Sequence, residues 1–115
     1  MVDIIQFKAP RQAPRIAFQR SEMGLILDIY GRLVMAGEAR DYAIGMGRRE
    51  AAFDIFRRFA ETPTWRITKT PALARAQGAF AVLGRQGQVL KRGRELKHVL
   101  RVFDSRRFEV VGDRG

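Results

Sequence analysis

The chain predicts a two-layer α+β domain, an antiparallel β-meander of about four to five strands flanked by an N-terminal and a C-terminal helix. Three observations lead there. Apolar residues recur at helical spacing over 21–36 and again over 93–104. Between those stretches the period drops to two, with Gly- and Pro-containing breaks where a meander needs turns. At 115 residues, 46% of them apolar, the chain is long enough to bury one core without staples. It divides into a flexible basic leader over 1–14, a single domain over 15–111 and a tail over 112–115.

Pro10 and Pro14 bracket a short spacer in the leader, and Arg15-Ile16-Ala17-Phe18 alternates as a short strand would. Ser21 is the expected N-cap of the first helix, because its hydroxyl can accept an orphan N–H, and Glu22 suits the dipole there. Leu25, Ile26, Ile29, Tyr30 and Leu33 give that helix its apolar face. Asp28 and Arg32 form an i,i+4 pair outside it, and Gly37 supplies a left-handed stop. Gly24 and Gly31 share a face, which implies close packing of the helix backbone on the sheet.

Tyr42, Ile44 and Met46 then alternate as a strand, and Gly47-Arg48-Arg49-Glu50 reads as a turn. Phe53 and Ile55, with Phe59 beyond them, share one face of a second strand. A third covers Trp65 to Lys69 and ends before Pro71. Residues 72–77 connect it to a hairpin, Ala79–Leu83 and Gln88–Lys91, turning at Arg85-Gln86-Gly87. Leu96, Val99, Leu100 and Phe103 mark the last helix, from about Gly93 to Asp104. Arg107–Val111 has the alternation of an edge strand.

Charge is the most informative functional signal. Residues 63–94 contain no carboxylate but seven cations: Arg66, Lys69, Arg75, Arg85, Lys91, Arg92 and Arg94. The net charge is +2 over residues 1–62 and +8 over 63–115. A long one-signed stretch suggests an anionic partner. Of the 22 cations 18 are arginine, whose planar fork suits phosphate. A high-GC genome explains arginine over lysine; it does not explain the missing acids.

Catalysis finds little support. With no cysteine there is no thiol nucleophile, thiolate site or disulfide. The one histidine, His98, lies mid-helix with no evident orienting partner. Glu38 and Asp41 flank a helix end without a ligand-spaced acidic cluster, and Gly45-Met46-Gly47 lacks what a nucleotide loop needs. We expect no enzyme, no metal and no cofactor. The N-terminal Ile4-Ile5-Gln6-Phe7 is too short for a signal-peptide core, and no stretch suits a membrane span, so a cytoplasmic setting with no membrane partner is expected.

Anion binding has three supports. Lys91-Arg92-Gly93-Arg94 sits where the last helix should begin, and helix N-termini attract phosphate. Arg58, at the end of one strand, can share a sheet face with Arg66 on the next, with Lys69 nearby. Trp65, Phe80, Phe53, Phe56 and Phe59 lie among the cations, and exposed rings stack on single-stranded bases; Trp65 and Phe56 are the candidates for exposure.

Several local strings resemble a family. Leu27-Asp28-Ile29-Tyr30-Gly31-Arg32, continuing through Ala36 to Ile44, is similar to the first signature of a small alphaproteobacterial family, a domain of unknown function. Phe56-Arg57-Arg58, Trp65-Arg66-Ile67 to Pro71, Gln77-Gly78-Ala79-Phe80, Leu90-Lys91-Arg92-Gly93 and Leu96 to Asp104 continue the similarity, over about residues 15–110. The resemblance implies no activity, cofactor or catalytic residue. It implies a bacterial cytoplasmic setting.

The expected function is non-catalytic nucleic-acid binding through phosphate contacts from Arg58, Arg66, Lys69, Arg85, Lys91, Arg92, Arg94, Lys97 and Arg101, with Trp65 as a stacking ring. Another polyanion would meet the same residues. The alternative is a protein-interaction module, homodimeric or facing an acidic protein partner, which an exposed apolar patch would favour. A third class, an enzyme on a phosphorylated ligand, requires a deep pocket holding Glu38, Asp41 or His98.

Overall fold

Helix α1 spans Arg20–Met35 and buries Ile26, Ile29 and Leu33 at i, i+3, i+7 spacing. The structure, a computed structural model, describes residues 14–58 and 62–104. Residues 1–13 of the leader, Phe59, the Arg107–Val111 strand and the tail therefore lie outside the described residues. The helix starts two residues earlier than Ser21 suggests, with Gln19 as the N-cap. Glu22 decides this: its carboxylate reaches back to accept the Gln19 N–H at 2.7 Å, which a capping box requires of the third helical residue. At the other end Gly37 takes φ +78°, and the Glu38 and Gly37 N–H groups return to the Leu33 and Val34 carbonyls. That is a Schellman stop, as Gly37 predicted.

Five strands follow in an antiparallel meander whose spatial order is the order of the chain. They are β1 (Asp41–Met46), β2 (Ala51–Phe56), β3 (Trp65–Lys69), β4 (Phe80–Leu83) and β5 (Val89–Gly93). A 3₁₀ turn at Pro71–Leu73 begins the β3–β4 connection. Register places Ile44, Phe53, Ile67 and Val82 in one row across the sheet, and Ala43, Asp54, Arg66 and Leu83 in the adjacent row on the opposite face. The first row faces the helices: Phe53, Ile67 and Val82 are fully buried. Arg15–Phe18 is not a strand; only Ile16 makes a single bridge, to Gly47 at the end of β1.

Helix α2 covers Leu96–Val99, turns at Leu100 and is helical again over residues 101–104. Leu96, Val99, Leu100 and Phe103 are buried, as their spacing predicts. Its start differs from expectation. Lys91, Arg92 and Gly93 belong to β5, Glu95 is the N-cap, and the helix begins at Leu96. Strand pairing of Phe80 with Gly93 and Ala81 with Arg92 holds these residues extended, and ladder bonds outweigh helical propensity there.

Two glycine pairs behave differently. Gly78 has φ +107°, and a Cβ added there would overlap the Gly93 backbone, so two segments of the backbone pass in contact that only glycine allows. Gly24 and Gly31 do not pack closely on the sheet: a Cβ at either would meet nothing within 4 Å. Among the described residues no helix is long and apolar enough to cross a membrane.

Candidate nucleic-acid interface

At one end of the sheet β2 leaves, β3 enters and the β4–β5 hairpin turns. Arg57, Arg58, Thr64 and Arg85 meet there around a hollow of about 240 Å³. Thr64 is fixed twice, its N–H donating to the Ile55 carbonyl at 2.8 Å and its hydroxyl oxygen accepting the Arg57 N–H at 3.2 Å. Arg57 also pairs with Glu38, which leaves Arg58 and Arg85 as exposed cations with no partner among the described residues. Two guanidiniums with no described partner, a third shared with Glu38, and a hydroxyl line one small concavity, donors of the kind that suit an oxyanion.

A second hollow, about 460 Å³ and open, lies between β5 and α2, lined by Lys91, His98, Arg101 and Val102. No carboxylate is among its described lining residues, although the His98 ring approaches Glu95 at 3.4 Å. Lys97 faces elsewhere, into the groove between α1 and α2, about 480 Å³, with Asp28, Arg32, Arg101 and Asp104 at its rim. The Arg32–Asp104 pair at 2.9 Å crosses that groove, so it carries both signs of charge.

Other predicted residues are engaged within the domain. Arg66 makes a two-pronged contact with Asp54 at 2.6 and 3.0 Å, and that hydrogen bonding raises the guanidinium pKa. Lys69 donates to Glu22 at 2.8 Å and to the Ala17 carbonyl at 3.1 Å, with little of its side chain exposed. Arg92 donates to the Gly78 carbonyl at 3.2 Å and Arg94 to the Arg75 carbonyl at 2.6 Å. Arg92 lies within β5, away from a helix end, whereas Arg94 immediately precedes the Glu95 N-cap but spends its guanidinium on the Arg75 carbonyl. Trp65 is a correction: it is buried, edge-on to Phe103 at 5.4 Å, and offers no platform for a base. Its row on the sheet faces the helices and therefore belongs to the core. Phe53 and Phe80 are buried as well; Phe56 is half-buried on the other face.

The sequence thus shows charge segregation that the fold partly undoes. Asp54 and Glu22 come from the first half of the chain and neutralise Arg66 and Lys69 in the acid-free stretch. Thr64 was missed as a member of the site, and Arg57, which ends the strand with Arg58, was legible as a neighbouring cation but not as part of it. The Thr-Pro-Thr segment after β2 was legible only as a break, and which residues close back on Arg85 depends on the hairpin turn. Among the described residues no three His, Asp or Glu converge as metal ligands would.

No curated protein and no solved structure matches the chain. A family described as "Protein of unknown function (DUF2794)" matches residues 16–100, which takes in α1, all five strands and Arg57, Arg58, Thr64, Arg85 and Lys91. With most of its length covered, and as its local strings suggested, the chain belongs to this family of proteins of unknown function.

Proposed function

We propose that this protein is a non-catalytic, cytoplasmic nucleic-acid-binding domain that grips the phosphate backbone rather than reading bases. One observation carries the reading. Two hollows drawing on the β4–β5 hairpin present Arg58, Arg85, Lys91 and Arg101 with no carboxylate among the described lining residues. Arg57 with Thr64 completes the first hollow, while Lys97, in the mixed-charge groove between α1 and α2, contributes to the general field. Arg66, Lys69, Arg92 and Arg94 serve the fold and contribute only to the general field. With Trp65 in the core, the described lining of the two hollows is mainly cationic, His98 being its one ring, which favours backbone contact over single-strand base stacking.

The non-catalytic part rests on how the candidate acids and base are used. Glu38 is held by Arg57, the Asp41 carboxylate accepts the Tyr42 N–H at 2.8 Å, and His98 lines an open hollow.

The test is fluorescence anisotropy with single-stranded DNA, duplex DNA and structured RNA over a salt series, heparin competing. Binding in the micromolar range or tighter at physiological salt, with a preference among ligands that survives heparin, is expected. Arg58→Ala with Arg85→Ala should weaken every ligand similarly and lower the salt slope by about one per lost phosphate contact. Unchanged affinity and slope in that double variant would remove the first hollow from the site. Equal abolition of all ligands by heparin would reduce the effect to bulk charge.

A further inference from the structure

The two edges of the sheet are built differently. β5 carries Lys91 and Arg92 and follows a register irregularity at Val82/Leu83, features that keep an edge from pairing with another chain. β1 has none of these. Its sequence, Asp-Tyr-Ala-Ile-Gly-Met, contains no lysine or proline, it pairs with β2 in unbroken register, and all six residues are exposed.

Beside this edge lies an apolar strip. Tyr42, Ile44 and Met46 point to the helix side, yet each stays about half exposed. Tyr30 of α1 meets Tyr42 and Phe53 ring to edge at 5.1 and 5.9 Å. Leu27 and Val34 stand one turn to either side of it, on the same flank of the helix. Leu27, Val34, Tyr42, Ile44 and Met46 are each between 42% and 53% exposed.

From this geometry we propose that β1 is a homodimer interface, with two copies pairing β1 to β1 antiparallel about a two-fold axis. Three observations choose a second copy as the occupant. The first is register. Ile16 already holds Gly47 and the Arg15 guanidinium reaches the Met46 carbonyl at 3.4 Å, so pairing extends no further than Met46. Of the same-face registers within that limit, the one centred on Ile44 aligns the apolar residues, with Arg15 turned aside. Ile44 then meets its own copy, Tyr42 meets Met46, and the small Ala43 and Gly45 meet on the other face; the strand is complementary to itself.

The second is charge. The chain carries +10, yet residues 20–47 hold three cations and four carboxylates. The five side chains of the strip are themselves uncharged, so two copies meet there without setting like charges against each other, and the strip offers an acidic partner no cation. The third is area. The five side chains expose on the order of 500 Å² per chain, and the two-fold doubles this to about the 1,000 Å² a specific interface needs. The joined sheet would have ten strands, with both cationic hairpins at its far ends.

Sedimentation equilibrium of the full chain, from low to high micromolar, tests this. Twice the mass of one chain is expected, with Ile44→Lys shifting dissociation at least tenfold towards monomer while circular dichroism stays unchanged. Val89→Lys, on the opposite edge, should keep the dimer. Thiol cross-linking covers the case in which Ile44→Lys fails to fold, since the chain has no cysteine of its own. A short bismaleimide should link Ala43→Cys chains and not Val89→Cys chains. A monomer at every concentration, or a dimer that Ile44→Lys leaves intact and Ala43→Cys does not cross-link, overturns the proposal.

Discussion

Single residues here differ sharply in what they can lose. Gly78→Ala adds a methyl group where φ is +107° and the Gly93 backbone is already in contact, so it should destabilise by roughly 2 kcal/mol or more in urea unfolding. Glu22 is a second sensitive point, because Lys69 is largely buried against it. Glu22→Ala leaves that ammonium without its carboxylate and uncaps α1, and should cost about 3 kcal/mol. Arg66→Ala removes a more exposed side chain but leaves the largely buried Asp54 carboxylate without its two hydrogen bonds, and should cost about 1–2 kcal/mol by the same measurement. Tyr30 offers a pH test. Burial, then the charges of Asp41 and Tyr42, hold its phenol above the usual value of about 10. The folded state therefore favours the neutral phenol, and its contribution is whole below pH 10 and lost as pH rises through the higher folded value. Chemical unfolding from pH 9 to 11.5 should show stability falling less steeply in Tyr30→Phe than in the parent.

At the scale of elements, the side-chain period made much of the fold legible. Three, four and seven residues separate the buried positions of α1 and α2, and two separate those of β2, so their existence follows from spacing alone. What was not legible depends on partners distant in sequence. The N-cap moved from Ser21 to Gln19 because Glu22 turned back to it. The last helix began later because Phe80 and Ala81 claimed Gly93 and Arg92 for the sheet. Trp65 left the candidate site because Phe103, near the other end of the domain, covers it. The hollow at Arg58 and Arg85 was half visible: both arginines were named, but a threonine's role there is set by two hydrogen bonds and not by composition. The glycines of α1 give a prediction at this scale. With open space at both positions, Gly24→Ala and Gly31→Ala should each stabilise the protein by about 0.5–1 kcal/mol, read as a higher urea midpoint with unchanged slope.

The whole molecule combines a surplus of ten positive charges with a core of ordinary composition. Self-repulsion then acts on the folded state, and any polyanion that binds it selectively adds stability by mass action. Heparin or duplex DNA well above its Kd should raise Tm by several degrees, and Arg58→Ala with Arg85→Ala should diminish the rise. An unchanged Tm at saturating ligand would mean that the unfolded chain binds as well.

The meander order has a further consequence, for the order in which the chain acquires structure. Every strand pairs with the strand made just before it, so a growing sheet never waits for a distant segment. The longest ties among the described residues run outside the meander, Lys69 to Glu22 and to Ala17 across 47 and 52 residues and Arg32 to Asp104 across 72. Until β2 and β3 are made, α1 must keep Ile26, Ile29 and Leu33 in water beside a β1 that has no neighbour. The nascent protein is therefore most adhesive early in synthesis, at the end that carries the least positive charge, and the cations that keep later stretches apart arrive only after that period has passed.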